Sequence, residues 1–89
     1  MQVELLSFLQ RAAGESRVEI AAATVGEALA ALITRYGENF RRELMTPEGL
    51  PKAGIAILVN GRNINFLHGL ATPLSPGDKV TLIPPAAGG

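Results

Sequence analysis

Ile55-Ala56-Ile57-Leu58-Val59-Asn60-Gly61-Arg62-Asn63-Ile64-Asn65-Phe66 reads as two strands joined by a two-residue turn. Its first half is an unbroken apolar run too short for a helix, as expected of a strand covered on much of both faces. Asn60-Gly61 is the strongest short-range hairpin signal, since both residues tolerate positive φ. Arg62 to Phe66 then returns as the second strand. Downstream, Leu74-Ser75-Pro76-Gly77-Asp78 marks a tight turn. Lys79-Val80-Thr81-Leu82-Ile83 follows as a last strand, which Pro84 and Pro85 end by withholding amide donors.

Upstream, Met1 to Leu9 reads as a strand with Val3 and Leu5 on one face and Glu4, Leu6 and Phe8 on the other. Arg11 to Gly14 reads as a turn, and Ser16 to Ile20 alternates again with Val18 and Ile20 inward, so the two segments form a hairpin. Thr24-Val25-Gly26-Glu27 has capping-box spacing and starts a helix. Val25, Ala28, Leu29, Leu32, Ile33 and Tyr36 give that helix one apolar stripe, and Gly37 stands where a left-handed cap would end it. Residues 38–44 add a short helical turn, and Met45 to Lys52, with Pro47, Gly49 and Pro51, read as a loop. The expected fold is α+β, a mixed sheet with one crossing helix in the order ββαβββ. One domain covers residues 1–85, followed by a flexible diglycine tail at 86–89.

Composition narrows the function. The 89 residues are 47% hydrophobic and 18% charged, which describes a compact domain and excludes disorder. Eight basic residues balance eight acidic ones, so no positive field is available for nucleic acid. The absence of cysteine removes disulfides, thiolate metal sites and a cysteine nucleophile together. No apolar run approaches a membrane span and no signal-type segment opens the sequence, so the expected location is cytoplasmic. His68, the one histidine, has no Ser, Cys or paired carboxylate near it in sequence, and reads as a solvent-facing side chain. The acidic residues are scattered, and neither Gly61 nor Gly77-Asp78 belongs to a phosphate-cradling motif. No catalytic or metal site is expected.

What remains is the end, Pro84-Pro85-Ala86-Ala87-Gly88-Gly89. The prolines favour extended backbone, and the last four residues offer a partner no side chain larger than a methyl. Four extended residues beyond Pro85 reach roughly 13 Å, enough to enter a narrow channel in another protein. A carboxylate resists attack because charge must be added to an anion and oxide expelled. Transfer to the α-phosphate of ATP makes an acyl-adenylate, and displacement of AMP by a sulfur donor leaves a terminal thiocarboxylate. Gly89 would carry the sulfur, and bare backbone at Gly88 and Gly89 lets an activating groove close on the reacting carbonyl. Under the strand reading, Leu6, Phe8 and Ile83 point away from the helix and meet through a parallel pairing of first and last strands. They would form an apolar partner-binding patch at the root of the tail.

A hairpin, a crossing helix, further strands and a diglycine end look like the ubiquitin-like β-grasp fold. Val59-Asn60-Gly61, Leu74-x-x-Gly77-Asp78-x-Val80 and Pro84-Pro85-x-Ala87-Gly88-Gly89 together resemble the sulfur-carrier family that includes the small subunit of molybdopterin synthase (MoaD) and the thiamine carrier (ThiS). Gly69-Leu70-Ala71-Thr72 with the Ala-Gly-Gly end is also similar to the carrier for cysteine synthesis and to archaeal members. The residues around 45–54 are extra length relative to the shorter bacterial subunits. The resemblance implies a carrier that is not itself an enzyme and binds no cofactor. An ATP-dependent adenylating enzyme loads it, and the synthase large subunit or another sulfur-acceptor enzyme receives the tail. A protein modifier joined through Gly89 to lysines, and an interaction module with an inert tail, are the alternatives outside sulfur delivery.

Overall fold

The computed structural model describes residues 1–85, and residues 86–89 lie outside that range. Strand β1 (Gln2–Leu5) is followed by helix α1 (Ser7–Ala13), strand β2 (Arg17–Glu19), helices α2 (Val25–Tyr36) and α3 (Glu38–Leu44) and strand β3 (Ala56–Val59). Strand β4 (Arg62–Asn63), two 3-10 turns (Ile64–Phe66 and Gly69–Ala71) and strand β5 (Lys79–Ile83) complete the order. The five strands form one mixed sheet in the order β2-β1-β5-β3-β4, with β1 and β5 parallel and every other pair antiparallel.

Alternation along the strands sends Val3, Leu5, Ile57, Val59, Val80 and Leu82 into the core. There they share one cluster with Val25, Ala28, Leu29 and Leu32 of α2, Leu9 of α1, and Phe40 and Leu44 of α3. Helix α2 begins as its sequence requires. Thr24 Oγ1 accepts the Glu27 N–H at 3.2 Å, and the Glu27 carboxylate reaches back to the Ala23 N–H at 3.3 Å. At its other end Gly37 has φ +91° and ψ −166°, a positive-φ corner that turns the chain directly into α3. Gly26 lets the start of α2 approach the second 3-10 turn, since a β-carbon there would lie 3.3 Å from the Leu70 carbonyl oxygen.

Two segments differ from the sequence expectation. The strand expected over Met1 to Leu9 stops at Leu5. Ser7, at φ +55°, swings the chain into α1, and Gly14, in the left-handed conformation, ends that helix with its N–H donating to the Gln10 carbonyl at 2.8 Å. Leu5 and Leu9 are both fully buried, a spacing that suits one face of a strand and a helical stripe equally well. Strands β1 and β2 still pair antiparallel, but a helix joins them instead of a tight turn. Likewise the strand expected over Arg62 to Phe66 keeps only two residues, because the Asn63 side chain accepts the Asn65 N–H at 2.8 Å and winds Ile64–Phe66 into a 3-10 turn. The short helix over 38–44, the Asn60-Gly61 turn with φ of +51° and +85°, and the last strand form where expected.

Asn60 also explains why the turn at Gly77-Asp78 goes with it. Its amide nitrogen donates to Asp78 Oδ1 at 2.9 Å, its side-chain oxygen accepts the Lys79 N–H at 2.9 Å, and Asp78 Oδ2 accepts the Ser75 N–H at 2.8 Å. The Asn60 amide, with the Ser75 N–H behind it, holds the Asp78 carboxyl below the usual carboxylate range. Two turns far apart in sequence are thereby locked at the start of β5.

A second polar cluster ties α2 to the segment after α1. The Tyr36 hydroxyl donates to Glu15, Arg35 lies 3.5 Å from the same carboxylate, and the Tyr36 ring packs 5.1 Å from the Phe40 ring. Desolvation first, and then the bond to Glu15, push the Tyr36 hydroxyl up from 10 to about 12. The neutral phenol is the form the fold favours, so its stabilisation is complete below pH 10 and is lost as pH rises through about 12. Since the sequence holds one tyrosine, phenolate absorbance should titrate with a midpoint near 12 and move down in Glu15→Gln. A midpoint at the ordinary value would show that the Tyr36–Glu15 contact does not form in solution. Thr24→Ala should lower unfolding stability in urea by about 1 kcal/mol, with the midpoint falling and the slope unchanged.

Candidate functional site: the tail root and the open face of the sheet

Pro84 and Pro85 stand at the end of a strand paired on both sides. Pro84 is buried, while Pro85 is exposed. The pairing Ala56↔Ile83, extended by two residues, brings Gly54 opposite Pro85. A β-carbon on Gly54 would lie 3.3 Å from both Cβ and Cγ of that proline. The Pro85 ring therefore lies against bare backbone. Ala86, Ala87, Gly88 and Gly89, the rest of the expected tail and its thiocarboxylate position, lie outside the described residues.

The face of the sheet turned away from the core changes character across its width. Toward β1 and β2 it is polar, with Lys79 Nζ 3.5 Å from Glu4 Oε1 and with Arg17 and Glu19 exposed. Toward β3 and the tail root it is apolar, carrying Ile83, its partner Ala56, and Leu58, all half-buried. Phe66 stands beside this half with 88% of its surface exposed, and with Leu58, Arg62, Asn63 and Leu67 it lines a shallow groove.

Of the three residues expected in the apolar patch, Leu6 and Ile83 remain close to the sheet. Leu6 is half-buried and still extended, one step beyond the Leu5↔Leu82 pair. Phe8 does not leave a strand beside them. It rises from α1, packs partly against the core, and borders a groove with Arg11, Asn39, Arg42 and Glu43, because the chain turns into a helix at Ser7. Ala56, Leu58 and Phe66 were not singled out by sequence. A strand reading puts Phe66 on the same face as the buried Ile64, and only the 3-10 turn rotates it outward.

His68 is exposed and begins the second 3-10 turn, where its N–H donates to Thr72 Oγ1 at 3.1 Å. Thr72, buried, passes that hydroxyl to the Gly69 carbonyl at 2.7 Å and accepts the Val25 N–H on its own carbonyl at 3.0 Å. The Gly69-Leu70-Ala71-Thr72 stretch thus anchors the start of α2. Among the described residues no three His, Cys, Asp or Glu side chains converge as metal ligands, and no helix is long and apolar enough to cross a membrane.

Known proteins share this architecture. The small archaeal modifier protein 3 of Haloferax volcanii is 40% identical over 67 residues, 75% of this chain and 71% of that protein. The sulfur carrier protein CysO of Mycobacterium tuberculosis is 33% identical over 78 residues, 85% of this chain and 83% of its own. The crystal structure of the Amycolatopsis orientalis BexX/CysO complex contains a chain that superposes with a TM-score of 0.86 at 29% identity, covering 99% of this chain and 98% of that one. These relatives are carriers or modifiers rather than catalysts, and one of them is seen in complex with a partner protein. The sequence model of the ThiS family matches residues 3–89, and the chain belongs to that family of ubiquitin-like, β-grasp sulfur carriers.

Proposed function

We propose that this protein carries sulfur as a thiocarboxylate on Gly89. The observation that carries this reading is the tail root. A strand fixed on both sides ends in one buried proline and one proline seated on glycine backbone, and four small residues follow. A partner's ATP-dependent adenylating enzyme consumes the ATP. The Gly89 carboxylate attacks the α-phosphate and pyrophosphate leaves, and then a sulfur donor displaces AMP from the acyl carbon. The carrier supplies no catalytic group, only a narrow, correctly aimed substrate. Within this reading the acceptor is the large subunit of molybdopterin synthase or an enzyme of cysteine or thiamine synthesis. The apolar half of the open sheet face, with Ile83, Leu58 and Phe66, docks the partner enzymes beside the tail, and Leu6 extends that contact.

One observation favours a second use of the same carboxyl, the 40% identity to a small archaeal modifier protein. Intact mass separates the two. Incubated with an activating enzyme, ATP and sulfide, a carrier gains one sulfur-for-oxygen exchange, whereas a modifier yields carrier-plus-target adducts cleaved by neither thiol nor hydroxylamine.

A chain with one residue added after Gly89 should melt at the wild-type temperature and gain no sulfur, because the reacting carbonyl becomes an internal amide and the new carboxylate lies roughly 3.5 Å further on. Sulfur loading of that untrimmed chain would overturn the Gly89 assignment. Phe66→Ala should weaken binding to the activating enzyme by about 2 kcal/mol while leaving thermal stability within the spread of surface substitutions. Titration calorimetry of the wild-type chain and Phe66→Ala against one enzyme preparation reads this, and unchanged affinity would remove the open face from the docking surface.

A further inference from the structure

Gly54 has two demands on it at once. The Ile55 N–H donates to the Lys52 carbonyl at 3.2 Å, closing a turn in which Gly54 is the third residue at φ +89°. That is the position that a type II turn fills with glycine. The same residue lies across the extended β3–β5 register from Pro85, where a methyl would sit 3.3 Å from the ring and fit only if the ring gave way slightly. The rest of the loop is held in place. Thr46 N–H donates to the Leu50 carbonyl at 2.6 Å, Lys52 N–H to the Leu44 carbonyl at 2.9 Å, and Met45 bridges Pro51. The loop therefore acts as a fixed stop against which the last described residue rests.

We propose that Gly54 is a positioning residue for the tail, setting the direction in which residues beyond Pro85 leave the sheet. This rests on the carrier reading above. A methyl at residue 54 would push the Pro85 ring aside by a few tenths of an ångström, and so shift the root from which the chain continues toward Gly89. The loss should fall on turnover and not on recognition, because the docking face is untouched.

Gly49 supplies the control. It lies in the same loop at φ +87°, and a β-carbon there meets nothing within 4 Å. Gly49→Ala likewise puts a β-carbon at a positive-φ position, without the contact. In sulfur loading followed by intact mass, Gly54→Ala should lower kcat about ten-fold with KM for the chain within about two-fold, and Gly49→Ala should leave both near wild type. In a Pro85→Gly background, which removes the ring atoms, the additional cost of Gly54→Ala should largely vanish. Equal effects of the two alanines, wild-type kinetics in Gly54→Ala, or an undiminished cost in the Pro85→Gly background would overturn the proposal. If Gly54→Ala melts far below Gly49→Ala, Pro85→Gly alone tests the contact from the other side, and wild-type kcat in it would overturn the proposal. A nuclear Overhauser contact between Gly54 Hα and the Pro85 ring checks the seat itself without any enzyme. A wild-type chain that shows this contact but accepts no sulfur overturns the carrier reading, and the role of Gly54 in loading with it.

Discussion

Everything at the tail depends on the position of β5. It is the middle strand of the sheet, hydrogen-bonded to β1 on one side and to β3 on the other, so its backbone is held along both edges. A chain leaving an edge strand could peel away with it. A chain leaving β5 starts from a fixed point. The strand is also held at both ends by contacts outside the ladder, with Asn60 and Asp78 at Lys79 and Gly54 at Pro85. Both contacts come from residues flanking β3, so the one antiparallel neighbour sets where β5 begins and where it stops.

The sheet divides its work between two faces. The inner face joins the fully buried side chains of all three helices in one cluster and accounts for stability. Among the described residues no helix covers the outer face, and its apolar residues are gathered on the side from which the tail departs. A partner that settles on Leu58 and Ile83 has the tail root within reach. Recognition and delivery are thus adjacent without sharing a residue that both must satisfy.

Local signals in the sequence were sufficient wherever a single backbone requirement decided the structure. Thr24 and Glu27 mark a helix start through bonds made within four residues, and Asn60-Gly61 permits a turn that few other dipeptides allow. Helix α1 was not legible because Leu5 and Leu9 satisfy period 2 and period 4 together, and the deciding event is an unusual positive φ at Ser7 that no residue preference announces. Phe66 was hidden by a side-chain bond from Asn63 that shortens β4. The tail end could be recognised from Pro84-Pro85 and the diglycine. The seat of Pro85 could not, because it joins residues 31 positions apart and appears only once the β3–β5 register is known.

The bond between Asn60 and Asp78 has a consequence for how the molecule ages. Asn-Gly sequences are chemically fragile, since the small residue that follows leaves its backbone nitrogen free to attack the side-chain amide. In this fold the Asn60 amide is engaged by Asp78 and by the Lys79 N–H, which restrains the rotation that such attack requires. Slow hydrolysis would replace a donor with a second carboxylate directly facing Asp78, turning an attraction into a repulsion at the start of the central strand. The same dipeptide that lets the hairpin form is thus the one whose side chain the fold holds in place.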